Sequence, residues 1–154
     1  MTKKDPQEMS QAQVQQKLLE EVTEAELERE LKDYAEVIGW LRYHTLRSKG
    51  SNPGFPDDVF IRERIVWVEC KRENGKLTEY QEIWRDLLSS SGSEYYVCRP
   101  SNLAYVKQRM AIWKPSNPYG GLKPGVISDL IQKYKMVQLR AKAKKIVDKA
   151  IFTS

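Results

Sequence analysis

The sequence predicts an α/β fold: a central mixed β-sheet flanked by helices, with one further helix added at the C-terminus. Three observations carry this reading. A long helical stretch free of Gly and Pro opens the chain, short β-like runs then alternate with helical ones, and Gly/Pro clusters mark the boundaries. A length of 154 residues, 40% hydrophobic and 31% charged, suits one globular domain with extensions and a core of its own.

Taken in order, residues 1–10 read as a loose end. Gln11 to Ile38 is rich in strong helix formers. Thr23, with Glu26 three residues later, forms a capping box, so the stretch divides into a helix near 11–21 and another near 24–38. Leu27, Leu31, Tyr34 and Ile38 give the second helix an apolar stripe, and Gly39 ends it. Trp40–Leu46 follows as a strand, and residues 47–56 as a Ser/Gly/Pro-rich loop. Asp57–Ile61 and Ile65–Lys71 then form a hairpin through the charged turn Arg62–Arg64. After the turn at Asn74–Gly75, Thr78 caps a helix with Gln81 at its third position. Ile83, Trp84, Leu87 and Leu88 supply that helix with a buried face, and Gly92 lies just past its end. Tyr95–Cys98 is the last strand, and 101–112 a short helix opened by Ser101. Residues 114–125 are dense in Pro and Gly. Val126–Ile151 reads as an amphipathic helix with seven Lys/Arg and two Asp, its first half packed through Ile127, Leu130, Ile131, Tyr134 and Val137. Trp40, Trp67 and Trp84 belong to the core, whereas nothing places Trp113. The organisation is a helical extension (1–22), a core domain (23–113), and a linker with a basic helix (114–154).

The net charge of +5 is unevenly spread. Residues 1–36 carry five Lys/Arg against ten Asp/Glu, so the remainder carries a net +10. A polyanion would be drawn to the later part of the chain and kept off its helical start. No apolar run is long enough to span a bilayer, and no apolar leader opens the sequence, so the expectation is a cytoplasmic protein with no membrane partner. Cys70 and Cys98 lack metal-ligand spacing and read as free thiols of a reducing compartment.

The chemistry concentrates between Gly54 and Lys71. Side chains alternate along a strand, so Glu69 and Lys71 project to one side and Cys70 to the other. Hairpin pairing brings Asp57, just after Pro56, close to Glu69. Two carboxylates and an ammonium on one small volume suit phosphodiester hydrolysis. Carboxylate oxygens hold hard cations such as Mg2+ or Mn2+, the cation makes hydroxide available near neutral pH, and the lysine stabilises developing negative charge.

Pro56-Asp57 followed by Glu69-Cys70-Lys71 resembles the signature of the PD-(D/E)XK nuclease superfamily. The surrounding text is similar to its VRR-NUC (virus-type replication-repair nuclease) branch, in stand-alone phage or bacterial form. The similarity lies in GWLRYHT (39–45), GFPD (54–57), VECK (68–71), GKLTEYQEIW (75–84) and CRPSN (98–102), and covers roughly Thr23 to Met110. It implies a restriction-endonuclease-like core with Asp57 and Glu69 as metal ligands, Lys71 as catalytic lysine, and the backbone carbonyl of Cys70 as a further ligand. Gln81 is implied near the centre, orienting water, lysine or phosphate. An acidic residue is implied on the first core helix; Glu24 fits best by spacing, with Glu28 as its competitor. The sequence departs from the pattern at Asp58, where the family is usually apolar. Asp58 is expected to face away from Asp57, the alternative being a bulge that brings both to the metal.

Each residue also has a plainer reading. Asp57, Glu69 and Lys71 could form an ordinary cross-strand ion pair on an exposed hairpin, and Gln81 could serve only as a cap. His44, the one histidine, is either a phosphate contact or a strand residue with a satisfied hydrogen bond. Arg47, Ser48, Lys49 and Ser51 could clamp a DNA backbone or form a plain surface loop, and Arg99 could reach the rim of the site or end its strand in solvent. Lys142, Lys144, Lys145 and Lys149 could bind nucleic acid, face a second subunit, or do neither. The functional expectation is a metal-dependent DNA endonuclease selective for DNA structure and resembling Holliday-junction resolvases, acting as a homodimer because a two-fold junction is best cut by a two-fold enzyme. Flap cutting, nicking or restriction-like cleavage is the rival activity. A module that binds branched DNA without cutting is the rival of another class.

Overall fold

The computed structural model describes residues 9–46, 49–114 and 124–153. Arg47, Ser48 and most of the Pro/Gly-rich linker lie outside the described residues. The elements are α1 (Gln11–Glu21), α2 (Glu24–Val37), β1 (Leu41–His44), β2 (Asp58–Ile61), β3 (Ile65–Cys70), α3 (Glu79–Ser90), β4 (Glu94–Cys98), α4 (Leu103–Ala111) and α5 (Pro124–Phe152). The four strands form one sheet in the order β1-β2-β3-β4, antiparallel except for the parallel β3–β4 pair. This is the α/β architecture with a mixed sheet, flanking helices and an added C-terminal helix that the sequence predicts.

Capping boxes start three of the helices. Ser10 with Gln13, Thr23 with Glu26, and Thr78 with Gln81 each exchange side-chain and backbone bonds, which satisfies donors that a helix start leaves open. Residues 101–112 differ in detail from the sequence reading. A 3-10 turn at Pro100–Asn102 precedes α4, and Asn102 rather than Ser101 makes the local bond, its Oδ1 accepting from the Arg99 N–H. The proline fixes the turn before the α-helix can begin.

The two faces of the sheet are unequal. On the back, Asp58, Phe60, Val66, Val68, Cys70 and Cys98 are buried together with Leu27, Leu31 and Ala35 of α2 and Val106 and Met110 of α4. The front is covered only in part, by α3 and the loop before β2, with Phe55 standing edge-on to both Trp67 and Trp84. Three-residue spacing phases α3 so that Gln81, Trp84, Arg85 and Leu88 turn inward. Ile83 and Leu87 therefore stay exposed, contrary to the sequence reading of their place in the buried face.

Trp113 has a place after all. The Arg62 guanidinium lies between the rings of Trp40 and Trp113, 4.6 and 4.9 Å from their centroids. Arg62 and Arg64 also donate to carbonyls at the end of α4 and beyond, including that of Ile112, and both pair with Glu63. The charged hairpin turn is thus a clasp on the ends of α2 and α4.

On α5 no side chain is fully buried. Only Ile127, Ile131 and Lys135 are half-covered, while Leu130, Tyr134 and Val137 are exposed, so the expected packing of its first half is reduced to one edge. At about 100° per residue, Val126, Leu130, Tyr134 and Val137 share one side, and Leu139, Ala143, Ile146 and Ala150 the opposite one. No single apolar face runs the length of the helix, which corrects its reading as one amphipathic element. No helix among the described residues is long and apolar enough to cross a membrane.

Candidate active site

Register decides the first question. Asp58 pairs with Val68 across β2–β3, so the next position outward sets Asp57 opposite Glu69, and opposed residues share a face. Asp57 and Glu69 therefore both stand on the front, with Lys71 two residues on. The loop before Asp57 is pressed onto the start of α3. A Cβ at Gly54, whose φ is +79°, would fall 2.4 Å from the Tyr80 backbone carbonyl carbon and 2.6 Å from the Gln81 nitrogen, so only glycine permits the approach. Trp84 Nε1 donates to the Pro53 carbonyl at 3.1 Å, and the Asp57 carbonyl accepts from the Thr45 N–H at 3.0 Å.

Glu69 is 1% exposed. Its Oε1 accepts from Gln81 Nε2 at 2.8 Å and faces Lys71 Nζ at 3.6 Å. Its Oε2 is sealed from solvent and has no hydrogen-bond partner among the described residues. Burial, and next the Asp57 carboxylate, push the Glu69 carboxyl up to about 7. Lys71 pulls the other way, as does the Asp57 N–H, which approaches without making a well-directed hydrogen bond. Asp57 is also raised, by burial and then by Asp58, with His44 and Lys71 opposing. Glu24 adds to the rise at both carboxylates. Glu24 itself is half-buried in the first turn of α2.

A buried carboxylate oxygen without a donor is costly. Here it belongs to a residue set opposite the Asp57 carboxylate, with the Lys71 ammonium to offset the pair. All-oxygen donors of net negative charge are what a hard divalent cation requires. The residues present therefore fit such an ion, with Asp57 and Glu69 as the direct candidates.

The other candidate residues are placed as follows. Gln81 combines both readings, its Oε1 capping α3 through the Thr78 N–H while its Nε2 holds Glu69. Cys70 points to the back, where its thiol is pushed up by its hydrogen bond with Cys98 and by burial; both cysteines are free. Arg99 Nη1 donates to the carbonyls of Arg72, Glu73 and Gly75, so it pins the turn that follows Lys71. Lys49 and Ser51 are exposed on their loop.

Asp58 faces the back, as the alternation of a strand requires. Its Oδ1 accepts from Arg42 Nε at 2.6 Å and lies 2.9 Å from His44 Nδ1. The same Nδ1 also lies 3.1 Å from Arg42 Nη2. Arg42 Nη2 lies 3.7 Å from Glu28 on α2. Glu28, His44 and Asp58 bring ligand atoms within 4.8 Å of one another, a spacing able to hold a metal ion, and the Arg42 guanidinium lies among them. Sequence reasoning missed Arg42, whose signal was only its place two residues before His44 on an alternating strand. It also missed Tyr95, whose phenol is pushed up by burial and by the charge of Glu69.

Comparison with known protein families matches residues 3–102 to the VRR-NUC domain. The chain belongs to the VRR-NUC family. It is accordingly a nuclease of the PD-(D/E)XK type, and the sequence resemblance to that branch holds. No match was found among curated proteins or among solved structures.

Proposed function

We propose that this VRR-NUC protein is a divalent-metal-dependent DNA endonuclease, selective for branched DNA, that hydrolyses phosphodiester bonds as a homodimer in the manner of a Holliday-junction resolvase. The observation that carries metal dependence is Glu69: a buried carboxylate with one oxygen unpartnered among the described residues, facing Asp57 across the hairpin beside Lys71. Asp57, Glu69 and the Cys70 carbonyl would hold Mg2+ or Mn2+, with Glu24 contributing from α2. The bound cation supplies charge neutralisation at the phosphate and a water of lowered pKa.

The remaining work falls to the chain itself. Gln81 fixes the rotamer of Glu69 through Nε2, so the free oxygen keeps one direction. Lys71 Nζ, near Glu69 but exposed enough to meet a phosphate, orients the attacking water and stabilises the negative charge that grows on the phosphate oxygens. His44, on the edge strand β1, is proposed as a contact to a backbone phosphate. Arg47, Ser48, Lys49, Ser51 and Arg99 are the proposed backbone contacts around it, and positive charge there would make binding fall steeply with salt. The homodimer rests on the symmetry of a junction and on exposed apolar side chains available for pairing, such as Tyr80, Ile83 and Leu87 on α3.

The test is cleavage of end-labelled four-way junction, flap and linear duplex with Mg2+, Mn2+ or chelator. Paired symmetric nicks across the junction are expected, with none in Lys71→Ala or in chelator. Cutting that survives chelation overturns the mechanism, one-sided or scattered cuts overturn the resolvase reading, and binding without cutting in any metal overturns the enzyme.

A further inference from the structure

Two carboxylates of the proposed metal site ride on different elements, and the contact that ties those elements together lies on the opposite side of the sheet. Glu24 and Glu28 are one helical turn apart on α2. Asp57 and Asp58 are neighbours at the start of β2. Asp57 stands on the front, opposite Glu69 across the hairpin. Glu28 and Asp58 meet behind it, bridged by one guanidinium from β1, with Arg42 Nε on Asp58 at 2.6 Å and Nη2 near Glu28 at 3.7 Å. Asp58 is 1% exposed, and His44 Nδ1 holds the same oxygen at 2.9 Å.

We propose that Arg42 is a positioning residue for the metal site, because its guanidinium ties Glu28 on α2 to Asp58 on β2 and so fixes the separation of Glu24 and Asp57. The inference rests on the metal-dependent reading above and assigns a role to residues that never reach the substrate. Arginine suits it for a stated reason: its planar fork presents five donors and can span two carboxylates, whereas a lysine ammonium is a point charge on a flexible stem. A buried ion pair is weak evidence of stability in itself, since apolar residues would hold the two elements as firmly. What the charged bridge adds is a directed contact that favours one distance between α2 and β2. Arg42 also supplies, in a form that cannot dissociate, the positive charge that Glu28, His44 and Asp58 would otherwise draw from a cation.

Charge and position predict opposite signs, which makes the idea testable without cleavage. Removing a positive group near a cation site strengthens cation binding by charge alone. Losing the alignment of the ligands weakens it, commonly by about 10- to 100-fold for groups that orient a metal ligand. Mn2+ binding to the full chain is measured by calorimetry and by the EPR signal of free Mn2+, the relevant site being the one lost in Asp57→Asn. Melts in chelator establish the folded fraction of each variant. Arg42→Gln and Arg42→Lys are each expected to bind Mn2+ at that site at least about tenfold more weakly, and higher Mn2+ is expected to restore cleavage in Arg42→Lys. Equal or tighter binding in Arg42→Gln overturns the proposal. Should Arg42→Gln not fold, Arg42→Lys decides, since it keeps the charge and loses only the bridge; unchanged affinity there overturns it as well. Absence of Mn2+ binding in the wild-type chain, or binding that survives Asp57→Asn, defeats instead the metal site on which the inference stands.

Discussion

The front and back of one sheet handle negative charge in opposite ways. On the back, Asp58 is buried and answered twice, by Arg42 and His44. On the front, Glu69 is equally buried, yet one oxygen has no partner among the described residues, and the Asp57 carboxylate stands opposite. The neighbours Asp57 and Asp58 thus divide between a site that stays electrostatically incomplete and a cluster that is complete. An unpaired buried carboxylate is tolerated where a ligand completes it, and perturbed carboxyls of this kind gather at functional sites. The same contrast orders the expected effects of substitution.

The largest effect falls on cleavage from the front. Lys71→Ala and Glu69→Gln are each expected to lower the cleavage rate by at least about 10²–10³-fold, the scale of losing a charge-stabilising group, in gel assays at saturating Mg2+. A loss below about tenfold would show that Lys71 and Glu69 do not run the chemistry.

Stability separates the faces by sign. Asp58→Ala leaves the Arg42 guanidinium with Glu28 alone and is expected to destabilise, by up to about 3 kcal/mol in urea melts. Glu69→Gln removes a buried charge that metal-free protein cannot satisfy, so at pH 8 in chelator it is expected to stabilise by on the order of 1–3 kcal/mol. A destabilised Glu69→Gln would mean that Lys71 already compensates Glu69. Gly54→Ala tests how the front is assembled. Its Cβ meets backbone at Tyr80 and Gln81, so a loss of several kcal/mol or a displaced α3 is expected, on the order of 2–4 kcal/mol.

pH sharpens the same difference. The Glu69 carboxyl sits at about 7, raised from the ordinary 4.5. Between those values the folded chain holds a proton that the unfolded chain has released. The metal-free fold therefore gains stability from this group as pH falls from about 7 toward 4.5, and loses it as pH rises through 7. A cation must displace that proton. Mn2+ affinity is accordingly expected to climb about tenfold per pH unit below 7 and to level off above it, a pattern that calorimetry in buffers of differing ionisation heat resolves. An affinity flat between pH 5.5 and 7 would mean that Glu69 is already ionised in the free protein.

The sequence disclosed the parts of this comparison that depend on local rules. Alternation placed Cys70 behind Glu69 and Asp58 behind Asp57, and the Thr78–Gln81 box fixed where α3 begins. It did not disclose what depends on phase or on distant partners. Ile83 and Leu87 looked buried because they are apolar, but the helix is phased by Gln81 reaching Glu69 and by Trp84 meeting Phe55 and Pro53. Trp113 found its place only through Arg62, 51 positions earlier. Nor did it disclose the partner of Glu28, since the Arg42 guanidinium reaches it at 3.7 Å from a different element.

The smallest effect is expected at α5, the element that neither face requires. Its described contacts with the core are slight: an ion pair between Lys135 and Glu36 at 3.8 Å and the half-covered Ile127 and Ile131. Surface ion pairs contribute at most about 1 kcal/mol, and two half-covered isoleucines little more than that again. Ending the chain after residue 123 is therefore expected to shift the urea midpoint of the core by no more than about 1–2 kcal/mol equivalent. Removing α5 also removes a net five positive charges. If these contact DNA, the truncated protein binds junctions more weakly and with a shallower dependence on log salt concentration, while the Mn2+ affinity at Asp57 and Glu69 stays unchanged. A core that unfolds without α5 would show instead that its apolar sides are covered in the working protein, and that the helix belongs to the fold.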